Sequence, residues 1–331
     1  MSLLSVRNLV TEFQSPSGTA RAVDGFSFDV QPGEIFGIVG ESGCGKSAVC
    51  RSILRLFGGA PARVAGGRIL LEGAGDLAAM NERGLSQIRG RDVAFIFQDP
   101  LTALNPTMRI GKQISEVIRR HRKASRAEAR EAALQLLRDV HVTSPERRLE
   151  SYPHELSGGL RQRVVIAMAL ALRPRLIIAD EPTTALDVTV QDQILRLLKE
   201  RRDSLGTSII LITHDLGVVS QICDRMAVMY AGRMVEIGGV REVLDAPSHP
   251  YTRALLAALP GNVSRDSELV PINGAPPSLI DPPPGCRFSA RCAFGRPQCM
   301  TGPAPALRSR LGAAEDHLDA CILSEVSDVA A

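Results

Sequence analysis

"EIFGIVGESGCGKS", residues 34–47, decides what kind of chain this is. Its last eight residues, "GESGCGKS" (40–47), fit the pattern G-x-x-x-x-G-K-[ST]. The apolar run before them reads as a strand buried on both faces, and residues 46–56 read as a helix. Strand, glycine loop and helix in that order make a phosphate-binding turn. Gly40, Gly43 and Gly45 let backbone N–H groups face phosphate oxygens with no Cβ in the way, while Glu41, Ser42 and Cys44 complete the loop. Lys46 suits the β and γ phosphates, and the Ser47 hydroxyl suits Mg2+. A chance glycine-rich turn is the competing reading, and it leaves the flanking elements unexplained. The loop takes a nucleotide. Cys44 lies beside Lys46 and a helix start, which favour its thiolate, so alkylation that bound nucleotide slows is expected there.

Outward from the loop, "FSFDV" (26–30) alternates like a half-buried strand, and "VAFIFQ" (93–98), "LIIAD" (176–180) and "SIILITH" (208–214) read as further strands. Between them 99–152 and 188–204 read as helical. Ser125 and Glu128 suit a capping box, followed by Ala129, Ala132, Leu136, Leu137 and Val140 at helical spacing. Alternating strands and helices predict an α/β fold with a largely parallel sheet and a helical insertion after Gln98. Polar groups fall at the strand ends, where open α/β sheets place their ligands. Asp180 suits an outer role on Mg2+, and Glu181 suits polarising a water for attack on the γ-phosphate. His214 suits the γ-phosphate, and Gln98 is a polar tip of the same kind. Singly, such groups are helix caps or satisfied strand ends; beside a phosphate loop they form a constellation.

The composition is that of a globular protein of 331 residues, 44% apolar, with a net charge of +3. That charge is too small to argue for nucleic acid, and the clusters "RRHRK" (119–123) and "ERRLE" (146–150) read as solvated helix faces. The start, "MSLLSVRNLV", has no secretory pattern, and "VVIAMALAL" (164–172) is about half of a membrane span. A cytoplasmic chain is expected, in which seven cysteines do not form a disulfide framework.

"LSGGLRQR" (156–163) raises a further question, because it is a second phosphate-gripping stretch at a helix start. With it, the residues resemble one family over about 3–245: the ATP-binding subunits of ATP-binding-cassette (ABC) transporters. Residues 40–47 resemble the Walker A motif, 176–181 Walker B, Gln98 the Q-loop glutamine, 185–187 ("ALD", with Asp187) the D-loop and His214 the switch histidine. "LSGGLRQR" is similar to the family signature, with Leu160 where glutamine is usual. The resemblance implies a phosphate-loop NTPase cassette over 1–245, with a RecA-like α/β core, an antiparallel β subdomain and a helical signature subdomain at about 99–160. It implies that two cassettes meet head to tail, so that Ser157, Gly158 and Gly159 of one close over ATP held by the other. Ser47, Gln98 and Asp180 would hold Mg2+, and Phe13 would stack on adenine, where tyrosine is commoner.

The finer likeness is to importers of dipeptides, oligopeptides and sometimes nickel, carried by "QDPLTALNPTMRIGKQISE" (98–116), "SHPYTRALLAALP" (248–260) and an irregular, proline-rich extension over 246–331. It implies a peripheral subunit at the cytoplasmic face of the inner membrane. Its partners would be a second, related ATPase (a heterodimer, or else a homodimer), two membrane permease subunits and, indirectly, an external solute-binding protein. A nickel or glutathione importer and a soluble non-transport ABC ATPase are the alternatives. The extension holds Cys286, Cys292, Cys299 and Cys321. Reduced thiols crowded in a segment without a core of its own suggest metal coordination. The first three are spaced more widely than a zinc knuckle's pair, which turns the reading toward an iron–sulfur cluster, with zinc or unliganded thiols as alternatives. Similar tails in this subfamily imply a [4Fe–4S] cluster.

Overall fold

The structure is a computed structural model, and it describes residues 2–184, 186–258, 271–309 and 316–323. Ala185 of the D-loop match and Leu259 and Pro260 of the "SHPYTRALLAALP" match lie outside the described residues. The described residues fall into two compact units, one from Met1–Val30, Phe36–Ala79 and Thr213–Ala331, the other from Gln31–Ile35 and Met80–Ile212.

The first unit begins with β1 (Leu4–Ser15) and β2 (Gly18–Val30), paired antiparallel, where alternate apolar residues such as Leu4, Val6, Phe26 and Phe28 turn inward. Next comes β3 (Ile35–Val39), buried along its whole length as an uninterrupted apolar run should be. The phosphate loop leads into α1 (Lys46–Leu54), which stops where Arg55 turns left-handed, two residues short of the expected end. The strands β4 (Ala62–Leu71) and β5 (Gly75–Asp76) complete an antiparallel sheet in the order β2-β1-β4-β5.

The second unit carries α2 (Glu82–Ile88), β6 (Val93–Ile96) and then a run of helices: α3 (Pro100–Ala103), α4 (Ile110–His121), α5 (Arg126–Asp139), α6 (Pro145–Glu150) and α7 (Gly158–Leu170). The capping box at Ser125 and Glu128 forms as expected. The buried face of α5 is Ala129, Ala133 and Leu137, followed by Val140 at its end; Ala132 and Leu136 sit one position round the helix and are only half-buried. After α7 come β7 (Leu176–Asp180), α8 (Val188–Leu205) and β8 (Ser208–Thr213). The three strands of this unit pair in parallel, with Val93 opposite Leu176 and Leu176 opposite Ser208. Their in-register C-terminal ends bring the residues after β6 and β7 to one edge.

The chain then returns to the first unit through α9 (Leu216–Ile222), β9 (Arg225–Tyr230) and β10 (Arg233–Gly239). Here β9 pairs parallel with β3 and antiparallel with β10. Helix α10 (Val240–Asp245) follows, and the residues beyond 245 include α11 (Pro250–Ala257), α12 (Pro297–Thr301), and the two-residue strands β11 (Arg308–Ser309) and β12 (Leu318–Asp319). These residues are built into the unit: β12 pairs with β10, and Phe288 packs with Tyr230 and Tyr251 in the same apolar core.

Candidate nucleotide site and the cysteine tail

In the first unit the phosphate loop passes hard against neighbouring backbone. A Cβ at Gly40 would lie 2.1 Å from the Met229 carbonyl oxygen, and one at Gly45 would lie 2.2 Å from that of Ala22. Both have positive φ (154° and 110°), so conformation and space each require glycine there. Gly43 is also left-handed but faces open space, and with Ser42 it forms the exposed tip. Lys46, buried at the start of α1, donates from Nζ to the carbonyls of Gly40 (2.7 Å) and Glu41 (3.0 Å). Ser47 follows it, half-buried.

Cys44 departs from expectation. Its side chain is buried, and burial pushes the thiol above its usual range despite the nearby Lys46 charge. The thiolate is therefore not favoured: in this loop desolvation outweighs a single ammonium. Phe13, on β1 and half-buried, meets Phe57 edge-on with centroids 6.0 Å apart. Phe57 stands just past the end of α1. His214 lies one residue beyond β8 and is exposed, rather than ending the strand.

In the second unit Asp180 closes β7 and is fully buried. Glu181 follows with φ 47°, a left-handed conformation that costs a non-glycine residue energy. Its N–H donates to the Ile212 carbonyl at 3.0 Å, so the chain leaves the sheet while still held to β8. Gln98 lies two residues past β6, exposed, and donates from Nε2 to the Glu181 carboxylate at 3.0 Å. Thr184 donates its hydroxyl to the same carboxylate at 2.9 Å. The structure thus brings Gln98 and Glu181 together and adds Thr184, whose only sequence signal is its place three residues on in a turn.

The signature stretch opens α7. Ser157 is its N-cap, exposed, with Oγ accepting from the Leu160 N–H at 3.4 Å. Gly158 and Gly159 form the first turn, leaving N–H groups of the kind that bind anions. Close by, Asp187 caps α8 by accepting from the Val190 N–H at 2.9 Å. A Cβ at Gly159 would stand 2.8 Å from Val190 Cγ1, so two helix starts meet there.

In the tail, Cys286, Cys292, Cys299 and Cys321 line one apolar cavity with Phe288 and Leu323. Burial pushes the Cys286 and Cys292 thiols up, helped by neighbouring cysteines, and pushes Cys321 to about 11. Among the described residues no group of three or more His, Cys, Asp or Glu is arranged to hold a metal ion. Nor is any helix there long and apolar enough to cross a membrane. Two tail residues that the sequence did not single out reach the phosphate loop: Tyr251 accepts from the Glu41 N–H at 2.9 Å, and Arg291 pairs with its carboxylate.

Comparison with known proteins agrees with these motifs. The profile of the ABC transporter family matches residues 23–184, and that of the oligopeptide/dipeptide transporter C-terminal region matches 235–299. The dipeptide transport ATP-binding protein DppD of Bacillus subtilis is 52% identical over 290 residues, covering 88% of this chain and 86% of that one. The oligopeptide transport ATP-binding protein OppD of the same organism is 50% identical, covering 88% of this chain and 82% of its own. Among solved structures, a dimeric post-hydrolysis state of the ATP-binding cassette MJ0796 bound to ADP and Pi aligns with a TM-score of 0.65. That match is 26% identical and covers 72% of this chain and 99% of the other.

Proposed function

The chain belongs to the ABC transporter family, as an ATP-binding subunit, and from that membership we propose that it powers the import of dipeptides or oligopeptides. It hydrolyses ATP. The observation that carries the peptide reading is the pairing of an ABC cassette with a C-terminal region of the oligopeptide/dipeptide type in one chain. Its partners are two membrane permease subunits and a second ATPase of the same kind, with which it forms a heterodimer. It sits at the cytoplasmic face of the inner membrane as a peripheral subunit.

In this reading Gly40–Ser47 holds the phosphates of ATP, with Lys46 leaving its carbonyl partners for the β and γ oxygens. The hydroxyl, amide and carboxylate oxygens of Ser47, Gln98 and Asp180 are hard donors that fit Mg2+, which would neutralise phosphate charge. Glu181 takes a proton from the attacking water; Gln98 and Thr184 hold its carboxylate in place. His214 contacts the γ-phosphate, Phe13 stacks on adenine, and Ser157, Gly158 and Gly159 cover the nucleotide bound by the partner ATPase, with Asp187 beside them. Two phosphate-gripping stretches in one chain then serve two different nucleotides.

The convergence of four cysteines on one cavity supports a [4Fe–4S] cluster held by Cys286, Cys292, Cys299 and Cys321. Among the described residues no group is arranged to hold a metal ion as it stands, so a cluster, like zinc, would require the four thiols to draw together. Bound there, a cluster would fix the loop as disulfides do outside the cell. Protein purified without oxygen should be brown, and Cys292→Ser should lose the colour; colourless, iron-free protein would exclude the cluster. For transport, the chain reconstituted with its permeases and second ATPase should drive ATP-dependent peptide uptake. Uptake of nickel or glutathione in place of peptides would overturn the cargo assignment.

A further inference from the structure

Arg291 lies in the tail between Cys286 and Cys292, yet its guanidinium is spent on the phosphate loop. Its Nη1 and Nη2 donate to the two carboxylate oxygens of Glu41 at 2.7 and 3.0 Å. The other donors are also used: Nη1 to the Tyr230 hydroxyl (3.1 Å), Nη2 to the Ile272 carbonyl (3.1 Å) and Nε to the Asn273 carbonyl (2.9 Å). All five N–H groups of the fork thus have acceptors, and the cation lies 5.7 Å from the centroid of the Tyr230 ring. The side chain is only 6% exposed. A charge buried in this way is fixed in place, and a bidentate pair fixes its partner's orientation as well.

Glu41 is held from two further directions. Its N–H donates to the Tyr251 hydroxyl at 2.9 Å, and its carbonyl accepts from Lys46 Nζ at 3.0 Å. Tyr251 is itself fully buried. Every polar handle of the second residue of the phosphate loop is therefore fastened, its carbonyl accepting also from the Cys44 N–H at 3.3 Å, and two of the four fasteners come from beyond residue 245. The lysine meant for phosphate rests on that same residue.

We propose that Arg291 is a positioning residue for the nucleotide site: by holding Glu41, the cysteine-bearing tail sets the phosphate loop in the shape that takes ATP. This rests on the nucleotide reading of residues 40–47. If the competent shape falls to a third or a tenth of the population once the tie is cut, the apparent Kd rises roughly three- to tenfold.

The test is binding of a fluorescent ATP analogue with Mg2+ to the purified full chain, with thermal unfolding recorded in parallel. Arg291→Ala and Glu41→Gln should each weaken binding by that factor. The double variant should be no weaker than the worse single one, because both cut the same tie. Arg291→Lys, which keeps the charge but not the fork, should recover part of the loss. Glu41→Gln guards against mere misfolding of the tail, since it keeps size and hydrogen-bonding atoms at a partly exposed position. A wild-type Kd in Glu41→Gln, or strictly additive losses in the double variant, overturns the proposal alone. Wild-type protein that binds no better than Lys46→Ala overturns the nucleotide reading, and this proposal with it.

Discussion

Glu181 shows what a single residue contributes and what it withholds from a reader of sequence. Its place after an apolar strand is legible, because an acid there serves phosphate chemistry. Its left-handed backbone and its bonds from Gln98 and Thr184 are not, since they depend on how β6, β7 and the following turn come together. Glu181→Gln keeps the size and an acceptor for both neighbours but removes the base. Turnover should fall by about 10²–10⁴, or ~3–5 kcal/mol of barrier, with ATP affinity little changed. Steady-state hydrolysis beside equilibrium binding checks this, and a variant as fast as wild type would remove Glu181 from the mechanism. Cys44 teaches the opposite lesson. Neighbouring charge can be read from a sequence, whereas the burial that raises this thiol cannot. At neutral pH, iodoacetamide should modify Cys44 much more slowly than a free thiol, with or without ATP. Fast labelling at that position by mass spectrometry would contradict the buried, protonated state.

Among the elements, apolar runs and caps were legible because their causes are local. The bounds of β7 and the capping box of α5 follow directly from "LIIAD" and from Ser125 and Glu128. The strand ends at Gln98 and His214 did not, because β6 stops at Ile96, short of its apolar run, and β8 stops at Thr213, one residue before the histidine. Two serines at helix starts offer a comparison. Ser125 accepts from the Glu128 N–H at 3.2 Å while Glu128 reaches back to the Ser125 N–H at 2.7 Å. Ser157 makes only a single, longer bond at 3.4 Å on an exposed face. Ser125→Ala should cost about 1 kcal/mol of stability and leave ATP hydrolysis by the assembled transporter intact. Ser157→Ala should cost less stability but slow that hydrolysis, since its hydroxyl is kept for a partner's nucleotide. Urea unfolding and ATPase assays on both variants would expose the reverse pattern if the assignment is wrong.

Across the whole molecule the hidden part is what long-range closure builds. Arg291 and Glu41 are 250 positions apart, and nothing local to either announces the other. The same holds for Glu236, a buried carboxylate that accepts from the N–H groups of Ser248 and His249 and pairs with His317 at 2.7 Å. Burial lowers the His249 pKa from 6.5 to about 4, whereas the Glu236 carboxylate raises that of His317. As pH falls from 6.5 toward 4 the unfolded chain takes up a proton that His249 refuses in the fold, so stability drops on the acid side. The His317 contribution is complete below 6.5 and fades as pH rises through its raised pKa. Stability should therefore peak between the two limbs. His249→Asn, which keeps an acceptor for the Tyr251 N–H, should flatten the acid limb in urea unfolding curves; an unchanged acid limb would assign it to other groups. The grip of Arg291 on Glu41 carries one more consequence, because free-energy coupling runs both ways. Whatever factor the tail lends to nucleotide affinity, bound nucleotide must return to the tail. The loop around Arg291 then becomes a reporter of occupancy, exchanging its amide hydrogens more slowly when ATP is present.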